Sequence, residues 1–527
     1  MSITPRSCHG DTIFRVNDLH GTPPAPAGSS AAPRRRVVLV GFDAMDPGIA
    51  RQLAEAGRLP TLARFFREGA WSPVTNPPGL VVGSTWPSFW TGWWPSRHGF
   101  YCFQQLVPKG YAVRRYTPLD VAAPSFWSVM AEAGRRVCML DVPLTPLTRP
   151  ERGVHVIDWG THDRMLDAAA WPPEVEREIH EALGDYPLVG RCDHYAARGA
   201  WDDLHRVLIE GIARKTDLGL RLLERGEWDA FATVYGESHC AGHQFWWAHD
   251  PEHPRYSKEA GDPLLRVYEA LDGALARLLS RVPADATVLV LLSHGIGNHN
   301  GGDHLLREIL TRLDDAYAAK SRALVLRERV LRLLLRSWDR LLRRDRSRQT
   351  ERRWVDASRH FVKLPNNELY GGVRINLAGR EPRGRVRPGA ELEAVTAWLE
   401  RELLALTDPG SGRRVVHKVM RTRDLYSGER RDALPDLMID WDHSAPIHAV
   451  ASERIGTVRG EYDGVRSGDH RPTGLLLALG PDIPGGRIPH RVQMVDLAPT
   501  IAAMSGVAMR DVDGVPIPSL VGGVVPG

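Results

Sequence analysis

The sequence predicts an α/β protein built on a doubly wound, mainly parallel sheet with helices on both faces and a helical insertion. Three observations carry that expectation. Short β-branched runs at residues 36–43, 136–143, 229–235 and 286–292 have the profile of strands buried on both sides. Helical patterns alternate with them at 47–68, 125–134, 201–225 and 263–281. Asp43, His239 and His294 each follow closely on the end of one of these runs. Ligands of open α/β sheets bind beyond that carboxyl edge.

The N-terminal 33 residues are rich in Pro, Ser, Gly and Ala and predict a disordered leader, with folding over 34–520. The first strand stops at Asp43. A carboxylate there suits a ligand site, and equally a cap on the helix expected over 47–68. Further on, Ser84 and Thr85 are expected to precede a short helix, with Pro87 near its first turn. A hydroxyl beside unpaired N–H groups suits an attacking oxygen or an anion site, and equally an ordinary N-cap.

The stretch 234–247 contains His239 and His243, four residues apart. On a helix that spacing puts both imidazoles on one face, where a third ligand would complete a divalent-metal site. The competing explanation is two polar side chains at a helix entrance. His294 follows the strand at 286–292, and His470 opens an apolar strand within 468–480. A helix is expected over 303–313, strands with tight turns over 363–382, and helices over 390–406 and 493–506.

An insertion is expected over 314–356. Residues 320–353 hold 13 Lys or Arg against four acids, a net +9, with Leu324, Leu331, Leu335, Trp338 and Leu342 at helical spacing. Such a basic amphipathic helix fits an anionic membrane surface, a lid, a protein partner, or a helix packed on its own domain with a solvated basic face.

The composition sets limits. In 527 residues the net charge is only +4, which gives no whole-protein case for nucleic acid as a partner. Five widely spaced cysteines form no CxxC pair, so a disulfide framework is not expected and a reducing, cytoplasmic setting is. Neither a secretory signal nor a membrane span is expected.

Assembled, these pieces resemble the alkaline phosphatase superfamily, and within it the type I phosphodiesterases and nucleotide pyrophosphatases. The markers are Val40-Gly41-Phe42-Asp43, Thr91-Gly92 with Pro95 and His98-Gly99, Glu237 with His239 and His243, Ser293-His294-Gly295, and Asp469-His470-Arg471-Pro472 with Gly474. The resemblance implies two divalent metals, usually zinc, about a Ser or Thr nucleophile. It puts His239, His243 and His470 around one metal, with His239 in place of an Asp. It puts Asp43, His294 and the Ser84/Thr85 region around the other, with Ser293 in place of an Asp. Family spacing, nine residues before Thr91, lands on Val82, whereas a nucleophile-x-Pro pattern picks Thr85 and a shorter offset picks Ser84. Asn366, Asn367, Arg374 and Arg380 are candidate contacts to an anionic substrate, and loop and strand structure accounts for them equally.

Three functions follow from the resemblance. One is metal-dependent hydrolysis of phosphate or sulfate esters, phosphodiesters first. Another is transfer of a phosphoryl group to an alcohol. The third is a catalytically degenerate metal-binding protein that engages a membrane surface or a protein partner.

Overall fold

The computed structural model describes residues 34–162, 164–319 and 353–522. The expected leader and nearly all of the basic segment 320–353 lie outside them. At its edges, the helix Asp303–Ala319 takes in the first residues of the expected insertion, and Arg353–Trp354 pairs antiparallel with Ala112–Arg115. No helix among the described residues is long and apolar enough to cross a membrane.

The main sheet is the doubly wound α/β sheet that the strand runs predict. Val37–Phe42 lies at its centre, parallel to Ala230–Tyr235 on one side and Thr287–Leu292 on the other. Val137–Leu140 and Gly153–Ile157 extend it in parallel, and Ala169–Trp171 closes that edge antiparallel. On the other side Thr473–Leu479 runs antiparallel to both Thr287–Leu292 and Ala70–Thr75. All six residues of each central strand are buried. Apolar side chains alternate onto two cores, one per face. A smaller four-stranded antiparallel sheet, including Phe361–Leu364 and Tyr370–Ile375, packs on the helices Asp303–Ala319 and Ala390–Leu404 around a third core.

Several expected elements shift. The span 47–68 is two helices, Pro47–Glu55 and Pro60–Glu68, because Gly57 at φ 75° breaks the run and Pro60 starts a new one. Asp46, not Asp43, caps the first of these by accepting from the N–H groups of Gly48 and Ile49. The stretch after them holds a strand, Ala70–Thr75, hidden in the sequence by Pro73. The next helix begins at Val81, so Ser84, Thr85 and Pro87 lie inside it rather than at its threshold.

A buried charge network braces the sheet's carboxyl edge. Lys215, on the helix Trp201–Glu224, is completely enclosed. Its Nζ donates to the carbonyls of Gly160 at 2.7 Å and Val234 at 3.0 Å. The same ammonium stands 3.6 Å from Asp141 and 3.8 Å from Glu237, and the Tyr186 hydroxyl donates to Glu237. Removing one member of a buried ion network leaves uncompensated charge. Lys215→Met should therefore destabilise the fold by about 3–5 kcal/mol in denaturant titration. Burial already raises the Asp141 pKa, with Lys215 opposing that rise. A folded-state pKa above the unfolded value favours folding at low pH and opposes it as pH rises. The deficit of the variant should thus grow from pH 5 to pH 8.

Candidate metal centre and active site

The register of the three central strands sets the site. Phe42 pairs with both Tyr235 and Leu292, so the chain leaves all three strands at one level. Asp43, Glu237 and His294 are set out there, within one or two residues of the strand ends. The helix Glu237–His249 starts at this edge and carries His239 and His243 inward. Ser238 Oγ donates to the Asp43 carbonyl at 2.6 Å, tying that helix to the first strand.

His470 arrives on the short strand Gly468–Arg471, antiparallel to Gly295–Asn298. Two glycines allow it to come close enough. A Cβ on Gly468 would lie 2.2 Å from the Gly242 carbonyl, and one on Gly242 would press on Ile296 at 2.8 Å. With both absent, His243 Nδ1 reaches the Gly468 carbonyl at 2.7 Å.

The result is a triangle of imidazoles. His470 Nε2 lies 2.9 Å from His239 Nε2 and 3.2 Å from His243 Nε2, and all three residues are buried. A carbonyl only accepts, so Nδ1 of His243 carries the proton and its Nε2 presents a bare lone pair to the cluster. Burial first, then the neighbouring charges, holds His239 and His243 well below the usual histidine pKa. For His239 those neighbours begin with His162, and for His243 with Arg466. Convergent neutral donors repel one another unless a cation stands among them. A tetrahedral zinc with Zn–N of about 2.0–2.1 Å would separate its ligand nitrogens by roughly 3.3 Å. The residues present fit such a metal, and among the described residues this is the one three-donor group of its kind.

The Asp43 side is arranged differently. Asp43 Oδ1 accepts from Trp86 Nε1 at 2.9 Å and from Ser293 Oγ at 2.8 Å. His294 Nε2 stands 3.7 Å from the same oxygen, while its Nδ1 faces the Gly295 carbonyl at 3.3 Å. Burial, then His470, lowers the His294 pKa to about 4. Ser293, where a second carboxylate would add charge, donates a hydrogen bond instead.

Both groups of residues open onto one cleft of about 1420 Å³. Val82, Gly83 and Trp86 form its wall at the start of the helix Val81–Thr91, which has no side-chain cap. Thr85 and Ser84 are fully buried and are not among the cleft's lining residues. The single Thr85 hydroxyl hydrogen is shared between the Val81 carbonyl at 2.6 Å and Asn76 Oδ1 at 2.8 Å, and Ser84 donates to the Leu80 carbonyl. Asn366 and Asn367 do line the cleft. Arg374 does not: its guanidinium is committed to Glu381 and to the carbonyls of Asp432 and Leu434. Arg380 is likewise committed, to Asp436 and Glu381.

Comparison with known proteins identifies the family. The profile of the family described as type I phosphodiesterase / nucleotide pyrophosphatase matches residues 37–470. The chain belongs to that family. It therefore stands among phosphodiesterase- and pyrophosphatase-like hydrolases of the alkaline phosphatase superfamily. No curated protein sequence matches it. Among solved structures, phosphonoacetate hydrolase from Sinorhizobium meliloti 1021, in complex with phosphonoacetate, is similar at 14% identity and a TM-score of 0.51. That match covers 90% of this chain and 97% of the other. Human ectonucleotide pyrophosphatase/phosphodiesterase 5 is similar at 11% identity and a TM-score of 0.50, covering 91% of this chain and 97% of the other. At these identities the two structures establish the shared fold.

Trp86, Asp193 and Arg466 border the site without having been singled out from the sequence. Arg466 lies two residues ahead of the Gly468-Asp469-His470 run, a usable signal, whereas Asp193 had none.

Protein purified after zinc loading should retain close to one equivalent on dialysis, measured by mass spectrometry. The double variant His239→Ala, His243→Ala should lose it, and parental metal content in that variant would show that the metal is held elsewhere.

Proposed function

We propose that this chain is a metal-dependent hydrolase of anionic phosphate esters, phosphodiesters first. It would work through one firmly held divalent metal on His239, His243 and His470. The observation that supports this is the convergence of three buried Nε2 atoms beside the cleft, which His239 and His470 line. Imidazole ligands suit zinc. Such a metal supplies Lewis-acid polarisation of a phosphoryl oxygen.

The chain's own residues do the rest. The uncapped start of the helix Val81–Thr91 offers backbone N–H groups to an oxyanion. Trp86 and Ser293 hold Asp43 in a fixed orientation, and with His294 it forms a weaker second cation site. Asn366 and Asn367, which line the cleft, would meet the ester. Arg374 is assigned to the fold. Val82 stands at the position that family spacing gives to the nucleophile, and it has no hydroxyl. Thr85 and Ser84 are assigned to helix packing, with water as the attacking species. Neither Ser84 nor Thr85 lines the cleft to carry a covalent intermediate, which favours hydrolysis by water over transfer. Sulfate esters share the charge and shape that the site would bind.

Val82 and Ser293 also support a second reading, a metal-binding protein without turnover. The basic composition of 320–353 supports an anionic membrane or protein partner for either reading. The four described cysteines are buried thiols, which supports a reducing, cytoplasmic setting.

Hydrolysis of bis(4-nitrophenyl) phosphate and 4-nitrophenyl phosphate separates the readings. Zinc-loaded protein should turn over the diester faster and stop on chelation. Thr85→Ala and Ser84→Ala should keep near-parental rates. A drop of about 10²-fold or more in either would restore that hydroxyl as nucleophile. Absence of turnover with zinc, manganese and magnesium would leave the binding reading.

A further inference from the structure

A carboxylate is buried beside the imidazole triangle. Asp469 immediately precedes His470 on the strand Gly468–Arg471 and is 3% exposed. Successive side chains of a strand point to opposite faces, yet the Asp469 carboxyl turns back on its neighbour. Oδ1 accepts from the His470 N–H at 2.8 Å and stands 3.3 Å from His470 Nδ1, without the alignment of a hydrogen bond. Oδ2 lies 3.6 Å from Nδ1 of His299, whose ring packs on Tyr462 with centroids 3.9 Å apart. Among the described residues Oδ2 has no hydrogen-bond partner, and the ion-pair neighbours of the carboxylate are these two imidazoles.

A buried carboxylate needs a cation or a full set of donors. Neutral imidazoles answer that need only in part. A divalent metal in the triangle has the opposite need, because His239, His243 and His470 bring it no negative charge. The Asp43 carboxylate is engaged by Trp86 and Ser293. His470 joins the two needs. With its Nε2 turned to the triangle, its proton belongs on Nδ1, the atom that faces Asp469. A carboxylate there fixes the tautomer of a ligand and makes the other nitrogen a stronger donor. The Gly468 carbonyl that serves His243 Nδ1 fixes a tautomer without bringing a charge.

We propose that Asp469 is the positioning residue of the metal centre: it fixes His470 as a ligand and supplies the negative charge that the three imidazoles lack. The inference rests on the three-histidine metal site and deepens it, by naming the residue outside the ligand set that governs how tightly the cation is held.

Two measurements on the full-length protein at pH 8, above the usual histidine range, test this without turnover. One is zinc affinity by competition with a chromophoric chelator. The other is thermal unfolding of the metal-free protein. Asp469→Asn keeps the shape and an acceptor for the His470 N–H and removes the charge. It should weaken zinc binding by about ten- to hundredfold, and Asp469→Ser should do the same. The metal-free Tm of Asp469→Asn should be no lower than that of the parent, since the charge serves the metal and not the strand. The double variant His239→Ala, His243→Ala gives the baseline for zinc bound elsewhere.

A parent that exceeds this baseline while Asp469→Asn matches the parent would overturn the inference and leave the metal site standing. A metal-free Tm that falls along with zinc affinity would overturn it too, by marking Asp469 as a brace for the strand. So would failure of both variants to fold without metal. A parent no better than the baseline would sink the metal site and the inference together. Hydrolysis of bis(4-nitrophenyl) phosphate is scored separately: an inactive parent that shows the zinc difference would sink the hydrolase reading and leave the role of Asp469 standing.

Discussion

Everything at the site depends on the flush parallel pairing of Val37–Phe42 with its two neighbours. Because Phe42 faces Tyr235 on one side and Leu292 on the other, three chain segments leave the sheet together. A one-residue slip in either pairing would turn that strand's side chains to the opposite face and carry Asp43 or His294 away from the cleft. The apolar cores on both faces forbid the slip, so the geometry of the polar cluster is enforced by hydrophobic packing rather than by the cluster itself. The second requirement is the close crossing of helix Glu237–His249 and strand Gly468–Arg471. Gly242 and Gly468 permit it, and the His243–Gly468 hydrogen bond locks it.

On the proposed reading, the changes on that frame run in one chemical direction. The resemblance puts His239 where the family carries a negative ligand, Ser293 where it carries a second carboxylate, and Val82 where family spacing puts a hydroxyl. The first change leaves a sound ligand set for a borderline metal such as zinc. The other two weaken the neighbouring cation site. Asp43 is no longer a carboxylate open to a metal on all sides, since Trp86 and Ser293 both donate to the same oxygen. On that reading the three-histidine half would keep a metal, while the Asp43 half is held by hydrogen bonds from Trp86 and Ser293.

The sequence was most legible where a strand is buried on both faces. Val37–Phe42, Ala230–Tyr235 and Thr287–Leu292 are nearly continuous apolar runs, and their ends place Asp43, His239 and His294 at one edge, whereas His470 arrives on a separate strand. The strand Ala70–Thr75 was illegible because Pro73 reads as a loop residue, though it is paired on both sides. Thr85 and Ser84 illustrate a different limit. A hydroxyl at a helix start and one in the helix's second turn look alike in sequence, and only the position of Leu80 as the last residue before the helix decides between them. Once the hydroxyls lie inside the helix, they bond back to the carbonyl four residues earlier, as Ser and Thr do there. Arg374 looked like an anion contact because charge is visible in a sequence and its buried partner Glu381 is not. Arg466 and Asp193 were missed because their pairing joins segments 273 residues apart.

The central claim is one metal held firmly by three imidazoles, beside an Asp43–His294 site too weak to keep a second metal through dialysis. X-ray absorption at the zinc edge on protein loaded with excess zinc and then dialysed measures that directly. The expected spectrum shows three imidazole nitrogens and one further light atom at about 2.0–2.1 Å, and no heavier scatterer nearby. A metal–metal vector at about 3.5–4 Å would contradict it, because it would mean that Asp43 and His294 still complete a two-metal centre.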